Sequence, residues 1–217
     1  MRAPVVVLVL GTALAVGVPT GWAVTRPGGS AGPPVTAVLA GPPAATPPVT
    51  GPSPQPIARP ALPTAEVPAV PPVRLELPGS GVDAPVDPVG VEPNGAMTLP
   101  ADVGRVGWYR FGPTPGGTEG TAVLAGHVDD RDQGPGALAP LRTVEPGAEL
   151  LVTDAAEAVL RWRIVARELI DKQQVPLDML FTRVGPPRLV LLTCGGPFLP
   201  ELGSYRDNVV VVAEPTP

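Results

Sequence analysis

Proline constrains this chain more than any other residue, because its fixed φ and missing N–H exclude it from helix interiors and from fully paired strands. The sequence holds 34 prolines and 26 glycines in 217 residues, unevenly spread. From Pro27 to Pro72 it is almost wholly Pro, Ala, Val, Thr and Gly. Such a stretch has too few large apolar side chains to offset the entropy of ordering, and it shows no hydrophobic periodicity. Residues 27–72 are therefore expected to be a disordered Pro/Ala-rich linker of polyproline II character. At about 3.1 Å per residue it would reach up to roughly 140 Å when fully extended. It is either a spacer of functional length or a linker of no particular length. What remains for a core is residues 73–217, close to the commonest domain size and able to fold without disulfides.

Ahead of the linker, the stretch between Arg2 and Arg26 contains no charged residue. About 20 such residues span the hydrocarbon core of a bilayer. Residues 1–26 are thus expected to be an N-terminal membrane anchor, with Trp22 near one interface and the α-amino end in the cytoplasm. The competing reading is a cleaved signal sequence, with Val5–Val16 as its apolar region and Gly21-Trp22-Ala23 as a small-x-small cleavage site. Either reading sends the rest of the chain out of the cytoplasm.

The net charge is −5. Residues 1–72 carry three arginines against one glutamate, and residues 73–217 carry 12 basic against 19 acidic residues, a balance of −7. An acidic domain without a basic stripe or a phosphate loop is not expected to bind nucleic acid. One cysteine, Cys194, and one histidine, His127, exclude an internal disulfide and a thiolate metal cluster. No cofactor or metal is expected.

Within 73–217, short apolar or alternating runs are separated by Gly/Pro turns. Val73–Leu77, Thr121–Gly126, Ala148–Thr153, Leu160–Ile164, Arg188–Cys194 and Asn208–Ala213 are expected strands, and Leu177–Arg183 one or two helical turns. Leu160, Trp162 and Ile164 alternate with Arg161 and Arg163. No helical pattern reaches the length of a βα unit, so the fold class is all-β, a closed or nearly closed antiparallel-rich barrel.

Cys194 ends an apolar strand and precedes Gly195-Gly196-Pro197, which lets the backbone turn and leaves the thiol near a surface. By itself a cysteine is more often an inert buried residue. Arg206 opens the final strand, twelve positions on. If the two strands pair antiparallel, the guanidinium lies beside Cys194 and can stabilise a developing oxyanion; the plainer alternative is an ion pair with Asp207 or Glu201. His127 follows the TAVLAG strand and is the sole imidazole available for proton transfer, with Asp129 and Asp130 near enough in sequence to orient it. Leu77-Pro78-Gly79-Ser80-Gly81, an L-P-x-S-G outline, reads as a Pro/Gly turn after the first strand.

Together, A-G-H-V-D at 125–129, L-L-T-C at 191–194 and Y-R-D-N-V-V-V-V-A at 205–213 resemble the sortase family, and the G-H-V-D and T-C-G-G versions look most like its actinobacterial class F group. The family's cysteine signature commonly has Thr where Val190 stands. The resemblance implies an eight-stranded sortase-type β-barrel with short helices over 73–217. It implies a monomeric, membrane-anchored cysteine transpeptidase with its catalytic domain outside the cell. By matching position, Cys194 is the nucleophile, His127 the proton donor and Arg206 the group that holds the substrate. Its partners would be secreted proteins bearing a C-terminal LPxTG-like sorting signal and an amine acceptor such as a peptidoglycan precursor. The competing functions are an exported cysteine hydrolase without transfer activity and a non-catalytic surface module on a proline-rich stalk. The Ser-His-Gly-Cys-Arg context of L,D-transpeptidases is absent.

Overall fold

The computed structural model describes residues 29–41 and 70–216. The expected membrane anchor and most of the linker lie outside these residues. No helix among the described residues is long and apolar enough to cross a membrane.

Eight strands close into a barrel in the order β1 (Pro72–Leu77), β2 (Val82–Val89), β3 (Val106–Tyr109), β4 (Thr121–Ala125), β9 (Arg188–Leu199), β10 (Ser204–Pro215), β8 (Val159–Asp171) and β7 (Glu149–Asp154). The two-residue strands β5 (Asp129–Asp130) and β6 (Gly134–Pro135) form a separate small ribbon. All barrel pairs are antiparallel except β2 with β3 and β4 with β9. The expected helical segment is α2 (Leu177–Leu180), and Pro78–Ser80 is a 3₁₀ turn between β1 and β2 with Gly81 at φ 69°. The Leu77–Gly81 segment is accordingly the turn of a hairpin.

Alternation along the strands builds two apolar layers. Leu75, Leu124, Ile164, Leu191, Val209 and Val211 belong to the barrel interior, with Trp162 and Trp108 filling it. The opposite residues of β4, β8, β9 and β10, namely Val123, Ala166, Val190, Val210 and Val212, form a second layer. Both faces of β9 and β10 are thus buried, which explains their continuous apolar runs.

Strands β2 and β3 carry no strong sequence signal. In V-D-A-P-V-D-P-V the alternation is clean, with Val82, Ala84 and Val86 buried, but two prolines disguise it. They are tolerated because the first half of β2 pairs with β1, through Pro85, and the second half with β3. Each half is paired on one side only, so a missing N–H has a free side to face.

The linker expected over 27–72 is corrected for residues 29–41. Ala31 exchanges backbone hydrogen bonds with Arg167, and α1 (Val35–Ala40) lies against the second apolar layer. Val35 is fully buried, its N–H donates to Glu168 Oε2 at 2.8 Å, and Val38 and Leu39 pack beside it. The spacing of these three residues is one helical face. Arg167, itself buried, donates to the carbonyls of Gly29, Arg142 and Val144. A short apolar triplet inside a proline-rich stretch folds here because the barrel supplies the surface it covers.

Candidate active site

The strand register brings the three predicted residues together. Strands β4 and β9 run parallel, with Ala125 opposite Leu192. Two residues further along each chain stand His127 and Cys194. The bridge continues past the end of β4: Gly126 N–H donates to Leu192 O at 3.1 Å, and buried Thr193 Oγ1–H donates to Gly126 O at 2.9 Å. On the other side of β9, Cys194 is opposite Asn208 and Gly195 opposite Asp207 on β10. Arg206 is the next residue, so His127, Cys194 and Arg206 occupy one end of three neighbouring strands. Cys194 shares the parity of Val190 and Leu192, and His127 that of Val123, so both belong to the wall's second face rather than to the barrel interior.

The strand does not end at Cys194, as the sequence suggested. Strand β9 runs on to Leu199, with a register shift where Tyr205 pairs with Phe198 but Asp207 pairs with Gly195. Two residues, Gly196 and Pro197, there face the single Arg206. Gly196 has φ 71°, a conformation favoured by glycine. This bulge bends the hairpin directly beside the thiol. Cys194 is half-buried and unpaired by disulfide.

His127 is half-buried, and its Nε2 lies 3.1 Å from the carbonyl oxygen of Pro100. An acceptor there favours a proton on Nε2 and leaves Nδ1 as the ring nitrogen not engaged by Pro100. Neither suggested carboxylate orients the ring. Asp129 accepts a hydrogen bond from Tyr205 Oη at 2.5 Å, and Asp130 caps the N–H groups of Asp132 and Gln133. These backbone bonds hold the Asp130 carboxyl below the usual carboxylate range. Gln133 in turn clips the Pro100 loop: its amide donates to Ala101 O at 3.0 Å and its carbonyl accepts from Val103 N–H at 3.2 Å. Gly136 lies so close that a Cβ would come within 2.2 Å of His127 O.

Arg206 is half-exposed and forms a side-on ion pair with Asp207, Nε to Oδ1 at 2.7 Å and Nη2 to Oδ2 at 2.9 Å. The plain ion pair and the place beside Cys194 therefore coexist. The Asp207 carboxylate raises the guanidinium's pKa still further, so Arg206 remains a cation at any working pH.

A family model described as the sortase domain matches residues 75–216. The chain belongs to the sortase family. Sortases are cysteine transpeptidases. No curated protein sequence matches the chain. Among solved structures it is similar to sortase C2 of pilus island 1 from group B Streptococcus, with a TM-score of 0.51 at 19% identity over 70% of this chain and 77% of that one. It is also similar to a lid mutant of sortase A from Corynebacterium diphtheriae, with a TM-score of 0.52 at 16% identity over 70% and 73%. Sortase C-1 from Actinomyces oris gives a TM-score of 0.51 at 20% identity over 66% and 71%. At these identities the likeness establishes the barrel alone.

Several groups around this sortase's three residues left no mark in the sequence. Pro100, Gln133 and Gly136 come from loops that fold back on His127, and nothing local announces it. Tyr205 reaches Asp129 across the site, stacks edge-on with Phe198 at 5.3 Å, and lies under the Arg142 guanidinium at 5.0 Å. It ties the loop after His127 to the strand that bears Arg206.

Proposed function

We propose that this sortase is a class F-like transpeptidase that cleaves an LPxTG-like sorting signal and passes the acyl product to an amine of the cell wall. The observation that carries the reading is the register that gathers His127, Cys194 and Arg206 at one end of β4, β9 and β10. The thiolate of Cys194 attacks the threonyl carbonyl carbon, forming a C–S bond and a tetrahedral oxyanion. The N–H groups of Arg206 not held by Asp207 donate to the substrate and that oxyanion. As the C–N bond to glycine breaks, a His127 imidazolium gives its Nδ1 proton to the departing amine and keeps its Nε2–H on Pro100 O. The acceptor amine then attacks the thioester, an amide bond forms, its surplus proton passes to His127, and Cys194 leaves as thiolate. The chain acts outside the cell, held at the membrane by residues 1–26; the G-H-V-D and T-C-G-G motifs favour class F.

The test incubates the full chain with LPxTG-type peptides, with and without an amine acceptor, beside Cys194→Ala. The expected outcome is a thioacyl adduct on the wild type only, resolved mainly to ligated peptide when amine is present. Absence of any adduct would remove the chemical basis of the reading, and hydrolysed product alone would make the protein a hydrolase.

A further inference from the structure

We infer that Asp207 is a positioning residue for Arg206: it holds the guanidinium side-on so that its outer N–H groups face the substrate. The inference rests on the transpeptidase reading for its consequence, but the pair itself is independent of it.

Asp207 has the parity of Val209, Val211 and Ala213, which face the barrel interior, and only 4% of its side chain is exposed. A carboxylate at such a position is costly unless it is paired and hydrogen-bonded. Its ionic partner among the described residues is Arg206, which reaches over the strand edge to meet it with two charge-assisted bonds.

The backbone around the pair is shaped to admit it. A Cβ on Gly196 would sit 2.1 Å from Asp207 Oδ2 and 2.7 Å from its Cγ. The carboxylate thus lies in space that only glycine leaves open, at the bulge next to Cys194. The main chain of Arg206 is fixed as well, its carbonyl accepting from Lys172 N–H at 3.3 Å.

The geometry leaves the arginine usable. A guanidinium has five N–H donors. Asp207 engages one on Nε and one on Nη2, so three remain, both on Nη1 and the second on Nη2. These form the end-on edge of the fork, suited to a carbonyl or an oxyanion. Half-exposed arginines ordinarily sample many rotamers, and fixing this one beforehand spares the substrate that ordering cost. An ion pair that looks merely structural is, on this account, the reason Arg206 is aimed.

Two measurements on the full chain test it. The first needs no turnover: water exchange of the Arg206 Nε–H, followed by ¹⁵N NMR, is compared with that of Arg161. Arg161 is equally exposed and pairs with Glu149 through Nη1 only. Arg206 is expected to exchange slower by on the order of tenfold, and equal rates would overturn the proposal even if no peptide is ever processed. The second uses peptide turnover. Asp207→Asn is expected to lower kcat by about 10- to 100-fold, with iodoacetamide labelling of Cys194 unchanged. In an Arg206→Ala background the same substitution is expected to have no further effect. An undiminished kcat, or an equal loss in both backgrounds, would show that Asp207 does not act through Arg206. Should Asp207→Asn fail to fold, the exchange measurement on the wild type decides alone. A wild type that forms no thioacyl adduct counts against the transpeptidase reading and leaves the exchange result to judge the pair.

Discussion

Thr193→Val isolates the contact that joins the strand of Cys194 to the segment that bears His127. Thr193 is 4% exposed, and its hydroxyl donates to Gly126 O at 2.9 Å. Valine keeps the shape and removes the donor. Gly126 is buried, and no other donor to its carbonyl appears among the described residues. The substitution strands that oxygen, which costs about 1–3 kcal/mol. For a domain of this size each kcal/mol lowers Tm by roughly 2–4 °C, so a fall of about 2–12 °C is expected. Since His127 follows Gly126 directly, the imidazole loses its register against Cys194, and kcat is expected to fall by about tenfold or more. Thr193→Ser keeps the donor and should retain most of kcat. Urea denaturation and single-turnover acylation with an LPxTG-type peptide measure both quantities. If Thr193→Val lies within ~0.5 kcal/mol of wild type and acylates at the same rate, the hydroxyl bridge does not hold the site together.

Three further outcomes follow from named contacts. Gly136→Ala is expected to displace the His127 backbone, because its Cβ would come 2.2 Å from His127 O; acylation should fall well before the fold is lost, as kinetics beside a melting curve would reveal. The Arg105 guanidinium, bonded to both Asp87 oxygens, holds that carboxyl below its usual range. This contribution is present above the unfolded-state pKa and fades as pH falls through the lower folded value, so Asp87→Asn should flatten the acid limb of a stability–pH curve and leave its neutral-to-alkaline shape alone. Val35→Asp should detach α1 at the loss of roughly 1.5–3 kcal/mol of burial, seen as rapid hydrogen exchange over residues 31–40 with the barrel amides still protected; unchanged exchange there would mean that α1 is not held through Val35.

The sequence made the barrel's wall readable wherever the strands obey simple rules. Arg188–Cys194 and Asn208–Ala213 announced themselves because both of their faces are buried, and Leu160–Ile164 because one is. Strand β2 was hidden by Pro85 and Pro88, which are permitted only because each half of it pairs on one side. That permission depends on neighbours far along the chain. The same is true of α1, whose Val35, Val38 and Leu39 are too few to fold alone and need the outer face of β8 and β10.

The site divides along the same line. Cys194 and His127 stood out because each is the single residue of its type in the chain, whereas Arg206 is one of 14 arginines and was singled out by its place at the start of the final strand. The groups that orient them were not. Pro100 reaches His127 from 27 residues away, and Thr193 reaches Gly126 from 67. Asp207 stood next to Arg206 in the sequence, yet adjacency alone could not distinguish an incidental surface pair from a buried, aimed one. Composition and alternation determine which residues a barrel buries and which it sets at its rim. Only the closed sheet, by fixing the register of β4, β9 and β10 against one another, decides which of those rim residues meet.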